Sequence, residues 1–273
     1  MAALERARRV LVVVAHPDDE SFGTGSLLLH LAGLGAATFV CCASRGEAGD
    51  VVEAVAVPPG GVGALRETEL RAAAELLGVR EVRLLGVLDS GMTGQPAPDT
   101  IVGTDPAVLA RSVSDVVREV RPHALVTLDG SDGHRDHVRM REVTEAVGRE
   151  FGLPVWLHCL PRALMRAWAQ RLAGLDPESP YLALGELGTD EARVTDRIDT
   201  TAYLPRRLAA ISVHASQHSP YAGLPADLRD AFLTRENLIG PVGDVRPLSP
   251  ESLRHRHDSG CHWNHRAAAW ACP

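Results

Sequence analysis

Residues 10–14 form an unbroken apolar run, and comparable runs recur at 38–43, 82–87, 124–128 and 155–160. Between them lie stretches whose apolar and alanine positions recur at three and four. These are 26–34, which stops at Gly35; 65–77, which stops at Gly78; 106–120, which opens on a proline; and 136–150. Period three to four marks amphipathic helix, short continuous runs mark buried strands, and a proline in the first turn is a favourable helix start. Strand and helix alternate, which predicts βαβ units. Strands without apolar–polar alternation fit a sheet covered on both faces. The expected fold class is therefore α/β: Rossmann-like, with a mostly parallel sheet, helices on both faces and a C-terminal α/β extension.

After Pro161 the rhythm weakens. Residues 162–172, 203–213 and 227–234 read as helices, and the alternation of Val194, Asp196 and Ile198 suggests a half-exposed strand over 193–199. Residues 58–63, PPGGVG, read as a flexible loop. The expected organisation is one domain overall: a core over 1–160, an extension over 161–252 packed on it, and a His/Cys-rich tail over 253–273.

Composition narrows the function. The formal net charge of −7 argues against nucleic acid, which calls for a basic face. No apolar run reaches the length of a membrane span. The chain contains no lysine, which excludes a Schiff-base lysine, a P-loop lysine and a Ser-Lys dyad. Five cysteines without a C-x-x-C pair fit a reduced, cytoplasmic setting. The start of the chain reads as mature protein rather than a signal peptide.

Ligands of open α/β sheets bind at the carboxyl ends of strands. The segments that follow the first four predicted strands carry most of the clustered polar residues of this half. They are His16-Pro17-Asp18-Asp19-Glu20, Ser44-Arg45-Gly46-Glu47, Asp89-Ser90-Gly91-Met92, and the stretch from Asp129 to His137. A dinucleotide or phosphate loop is excluded, because carboxylates stand where glycines would cradle an anion. Acids after a strand can simply favour a helix N-terminus. Two loops that each combine His with Asp point instead to a metal. His16 and Asp19 stand close enough to share an ion, and His134 or His137 would supply a third ligand, which suits catalytic Zn2+. Fe2+ also accepts two histidines and a carboxylate. Asp18 is then left beside the metal, free to take a proton from water.

A-H-P-D-D-E after the first strand and G-H-x-D-H after the fourth resemble the LmbE-like (PIG-L) zinc-dependent de-N-acetylases. The resemblance covers about the first 160 residues. Arg66-x-x-Glu69 and His214-x-Ser216-Gln217 also resemble family segments, and Asp89-Ser90-Gly91-Met92 resembles the branch acting on glucosamine-inositol thiols. The resemblance implies that His16, Asp19 and His137 bind zinc and that Asp18 is the general base. It implies that His134 stabilises the tetrahedral intermediate and protonates the leaving amine, while Asp136 orients a histidine. Arg66 and Asp89 would contact sugar hydroxyls, and Arg45, Asp132 and His214 complete the expected substrate residues. Two positions depart from the pattern. Arg135 stands where the family commonly has proline, and Asp132 stands where the thiol-sugar branch has tyrosine.

The expected reaction is hydrolysis of an N-acyl group, an acetyl first, from an amino-sugar small molecule or glycoside. Two alternatives stay open: an amidase acting on a thiol S-conjugate or pathway intermediate, and a non-catalytic member that binds a ligand. The expected partner is the small-molecule amino sugar or conjugate, and a homo-oligomer stays open. His30, His123 and His158 read as structural. The tail cluster of His255, His257, Cys261, His262 and His265 matches no standard zinc spacing.

Overall fold

The computed structural model describes residues 1–242, 262–264 and 269–271. In chain order the elements of the first part are α1 (Ala2–Glu5), β1 (Arg9–Val14), α2 (Asp19–Phe22), α3 (Gly25–Gly33), β2 (Ala37–Cys42), α4 (Gly61–Leu76), β3 (Val79–Leu84), α5 (Pro106–Val120), β4 (Ala124–Leu128), α6 (Arg135–Phe151) and β5 (Val155–His158). There follow α7 (Arg162–Leu175), β6 (Asp196–Asp199), α8 (Leu204–Val213), α9 (Ala226–Leu233) and β7 (Arg235–Val242). A separate antiparallel ladder joins β8 (His262–Asn264) and β9 (Ala269–Ala271).

One sheet of order β3-β2-β1-β4-β5-β7-β6 organises the molecule. The first five strands are parallel, as the strand–helix rhythm predicts. Strand β1 runs between β2 and β4, with Val12 opposite both Val40 and Val126. Its side chains alternate between the two faces. Leu11 and Val13 pack with Leu109, Val113, Val117, Met140 and Val147 of α5 and α6. Val10, Val12 and Val14 pack with Leu27, Leu28 and Leu31 of α3, Leu70 of α4 and Ala210 of α8. Both faces of β1 are thus buried, which is why the run is continuously apolar. Full burial of such a side chain contributes roughly 1.5–3 kcal/mol.

Several boundaries follow local chemistry. Asp105 caps α5, its side chain accepting from the Ala107 N–H, while Gly152 ends α6 in the left-handed region. Helix α4 begins at Gly61, inside the stretch expected to be a loop. Strand β3 lies three residues earlier than predicted. It is an edge strand, so Arg80, Glu81 and Arg83 are tolerated, and the apolar run beyond it is interrupted at Gly86, where φ is 76°. Strand β7 was not anticipated, because buried Glu236 and Asn237 break its apolar pattern. It pairs antiparallel with β5 and carries β6 at the sheet edge, where the predicted 193–199 strand shortens to 196–199.

No helix among the described residues is long and apolar enough to cross a membrane. The tail residues His255, His257, Cys261 and His265 lie outside the described residues, as does the side chain of His262.

Candidate metal centre

Strand order reverses between β1 and β4, and at their carboxyl ends the two loops singled out in the sequence meet. That crevice is where an open α/β sheet binds ligands.

The β1 loop is held by its own acids. The Asp19 carboxylate folds back and accepts from the N–H groups of Ala15 (3.1 Å) and His16 (2.9 Å). Asp18 adopts a left-handed backbone, φ 108°. Such a conformation costs on the order of 1–3 kcal/mol outside glycine. Three contacts hold it there. Glu20 accepts from the Asp18 N–H at 2.9 Å, and Arg66 Nη2 donates to Asp18 Oδ2 at 2.9 Å and to the Pro17 carbonyl at 2.6 Å. Glu20 in turn meets His214 Nε2 at 2.6 Å, and Glu69 accepts from the Ser216 N–H and hydroxyl. The segments Arg66-x-x-Glu69 and His214-x-Ser216 therefore brace the β1 loop from behind.

The β4 loop delivers two histidines at the start of α6. His134 is the N-cap, and its Nδ1 accepts from the Asp136 N–H at 3.2 Å. That bond assigns the proton of the neutral ring to Nε2. His137 follows within the first turn of the helix. One ring nitrogen from each of His16, His134 and His137 lies within 4.8 Å of the other two. The rings of His134 and His137 stack at 4.8 Å, and His16 meets His134 edge-on at 4.6 Å.

The carboxylates assign the remaining nitrogens. Asp136 Oδ2 lies 3.1 Å from His16 Nε2 and accepts from the Ser90 N–H at 3.0 Å, while Asp89 Oδ1 lies 3.4 Å from the same His16 nitrogen. His16 Nδ1 is left facing Asp19 Oδ2 at 3.7 Å. Asp132 Oδ2 takes His137 Nδ1. His137 Nε2 is buried and lies 3.1 Å from Asp19 Oδ1, but outside hydrogen-bonding geometry, so it has no hydrogen-bond partner. An orphaned imidazole nitrogen beside a carboxylate and a second imidazole nitrogen is the donor set a divalent cation takes. His16, Asp19 and His137 fit such an ion.

The electrostatics agree. Burial opposes charge on every group here, but the surrounding carboxylates outweigh it at two histidines. Asp136 and Asp89 raise His16 to about 10, and Asp132 and Asp19 raise His137 well above the usual imidazole range. In return the histidines hold Asp19, Asp89, Asp132 and Asp136 below the carboxylate range. The pocket is built for positive charge. Burial lowers His134 to about 4, helped by His16 and His137. Asp18 goes the other way: burial raises it to about 6, against the pull of Arg66.

The centre opens into a cavity of about 780 Å³. Its lining includes His16, Asp18, Asp19, Asp89, His134 and His137, together with the aromatic residues Trp168, Tyr181, Tyr221 and Phe232. Arg66 and Asp132 also line it, though both are committed to neighbours, Asp18 and His137. Two expected substrate residues lie elsewhere. Arg45 is exposed on α4's flank, paired with Glu67 at 2.7 Å, and His214 is buried behind Glu20. One Asp132 oxygen faces His137; an acid five residues before His137 was the available signal for that contact. The aromatic lining was missed, because it comes from α7, α9 and loops of the extension, which carry no motif.

The sequence profile of PIG-L, GlcNAc-PI de-N-acetylase, matches residues 11–147. A 1D-myo-inositol 2-acetamido-2-deoxy-alpha-D-glucopyranoside deacetylase of Kineococcus radiotolerans is 35% identical over 261 residues, covering 80% of this chain and 72% of the relative. The enzyme of the same name from Thermobispora bispora is 35% identical, covering 80% of this chain and 82% of its own. Among solved structures, a deacetylase of the teicoplanin biosynthesis pathway superposes with a TM-score of 0.61 at 18% identity. It covers 86% of this chain and 99% of its own, a likeness of fold.

Proposed function

Because this chain belongs to the PIG-L GlcNAc-PI de-N-acetylase family, we propose that it is a metal-dependent hydrolase that removes the N-acyl group, an acetyl first, of an amino-sugar small molecule. The observation that carries this reading is the convergence of His16 Nδ1, Asp19 and the orphaned His137 Nε2, with the outer nitrogens of both histidines already bound to carboxylates.

The metal we propose is Zn2+, with Fe2+ as the alternative the same donors accept. When bound, such an ion supplies Lewis-acid polarisation and activation of water at neutral pH. The chain's own groups do the rest. Asp18, held by Arg66 and raised to about 6, takes the proton of the attacking water. His134 Nε2–H donates to the oxygen that gains charge, and the proton taken by Asp18 passes to the departing nitrogen, by way of His134 where the ring relays it. Asp136 and Asp132 hold the rings of His16 and His137. Water adds to the acyl carbon, the C–N bond breaks, and the products are a carboxylate and a free amine.

Asp89, which lines the cavity, is the remaining candidate to meet a sugar hydroxyl. The wall of Trp168, Tyr181, Tyr221 and Phe232 suits a group attached to the sugar, and this favours a second reading. In that reading the substrate is a larger conjugate whose scissile amide lies away from an acetyl. We assign the reaction to the reduced cytoplasm, in keeping with buried free thiols at Cys41, Cys42 and Cys159. We also treat 1–160 and 161–252 as one functional unit, because α8 and the segment after it brace the β1 loop.

The test is to incubate metal-loaded protein with N-acetylglucosaminyl-inositol and with larger N-acyl glucosamine conjugates, and to follow acid release by mass spectrometry. Acetate release supports the first reading and release of a larger acid the second. No acid from any substrate, with metal bound, overturns both.

A further inference from the structure

Arg135 sits between His134 and Asp136, yet its side chain takes no part in the centre. It crosses from the start of α6 to the loop after β3. There Nε donates to the Gly91 carbonyl at 2.7 Å, Nη1 to Gly94 at 2.8 Å, and Nη2 to Thr93 at 2.9 Å and to Ser90. A guanidinium is a planar fork of five N–H donors with no acceptor. Here its three nitrogens serve four carbonyls drawn from residues 90–94. The carbonyls can converge because the chain turns through left-handed glycines, φ 61° at Gly91 and 79° at Gly94.

Residues 89–99 form no helix or strand, and backbone pairing closes the loop only at its base, where Leu88 bridges Thr100. It nevertheless supplies cavity lining through Asp89, Gly91 and Met92. The Ser90 N–H reaches Asp136 and Asp89 reaches His16, so the position of this loop is tied to the ligand side of the centre. The proline that commonly occupies position 135 in the family has no side-chain donor and offers no such clamp.

We infer that Arg135 is a positioning residue: its guanidinium fixes residues 90–94 as one rim of the cavity, and so sets where Asp89 and Met92 stand against the substrate. The inference rests on the hydrolase reading only for its kinetic test. Lysine, a single point of three donors, cannot replace the fork.

The experiment compares metal-loaded wild type with Arg135→Ala, Arg135→Lys and Arg135→Gln. Hydrogen exchange is followed over residues 88–94, and metal content, kcat and KM are measured on the best N-acyl glucosaminide. In Arg135→Ala and Arg135→Gln the loop amides, Ser90 and Gly91 among them, exchange faster. Metal content is unchanged, and KM rises roughly tenfold or more while kcat falls much less. Arg135→Lys behaves as Arg135→Ala does, and methylguanidinium added to Arg135→Ala lowers KM again. Unchanged exchange and KM overturn the inference. So does loss of metal in the variants, which would place Arg135 in support of the ligands rather than the rim. If the variants do not fold, wild-type exchange at residues 92–94 decides, because the Leu88, Ser90 and Gly91 N–H groups are bonded elsewhere: protected amides there support the clamp, and amides exchanging as free peptide overturn it. If the wild type hydrolyses no substrate, the hydrolase reading fails, and the exchange comparison still tests the clamp.

Discussion

Asp132 Oδ2 lies 2.5 Å from His137 Nδ1, while the other oxygen of the same carboxylate accepts from the His134 N–H at 3.1 Å. One acid thus sets the ring of a proposed metal ligand and the entry of the helix that carries it. Histidine ligands bind metal better when a carboxylate takes their outer N–H, and loss of that partner typically costs about 10–100-fold in affinity. Asp132→Asn keeps the shape and removes the charge. Its Zn2+ affinity is expected to fall by about that factor, read by competition with a chromophoric chelator. Equal affinity in the two proteins would leave Asp132 without this role.

The ligand and base assignments separate cleanly. His16→Ala and His137→Ala are expected to lose stoichiometric metal, because each removes one of the three proposed donors. Asp18→Asn is expected to bind metal normally and to lose at least about a hundredfold in turnover, the usual scale of general-base removal. Elemental analysis together with steady-state kinetics decides. Full metal in His137→Ala, or near-normal turnover in Asp18→Asn, would overturn the respective assignment.

The sheet and the loops at its carboxyl edge were legible in the sequence because they rest on local rules. Burial on both faces makes β1 continuously apolar, and the chemistry follows each strand directly in the chain. What was not legible depends on partners far away. Asp132 reads as a free acid until the helix turn brings His137 to it. Arg135 reads as a departure from a motif until the loop after β3 is seen to lie across from it. His214 reads as a site residue because it is a histidine in a family-like segment, yet its partner is Glu20, which stands 194 residues earlier. Strand β7 hid because its buried Glu236 is paired, and pairing is invisible to a hydropathy pattern.

Arg66 tunes the proposed base. Burial raises Asp18 to about 6, and Arg66, 2.9 Å away, is the largest influence holding it down. A base must be deprotonated to act, so activity falls as pH drops through the pKa of Asp18. Arg66→Met removes the opposing cation, the pKa rises further, and the acid limb of kcat/KM moves to higher pH. Each unit of movement removes about tenfold of activity below the new pKa. Arg66→Lys keeps the charge and should move the limb less. A pH–rate profile of the three proteins tests this, and an unmoved acid limb in Arg66→Met would reject Asp18 as its source.

Arg207 and Glu236 form an ion pair at 3.0 Å with both side chains almost wholly buried. Arg207 also donates to the carbonyls of Ser21, Phe22 and Gly23, which follow Asp19, so the pair holds the β1 loop from the extension side. Removing one partner of a buried pair strands the other charge, at a cost of about 3–5 kcal/mol. Glu236→Gln is therefore expected to lower unfolding free energy by about that amount at neutral pH, measured by chemical denaturation. The pH dependence has a definite sign. Burial opposes charge on Glu236, but Arg207 and His158 outweigh it and hold its pKa below the usual glutamate range. The stability it contributes is complete above that usual range and is lost as pH falls through its folded-state pKa. The gap between wild type and Glu236→Gln should accordingly narrow as the solution is acidified. A gap that stays constant from neutral to acid pH would show that packing, not charge, sets the difference.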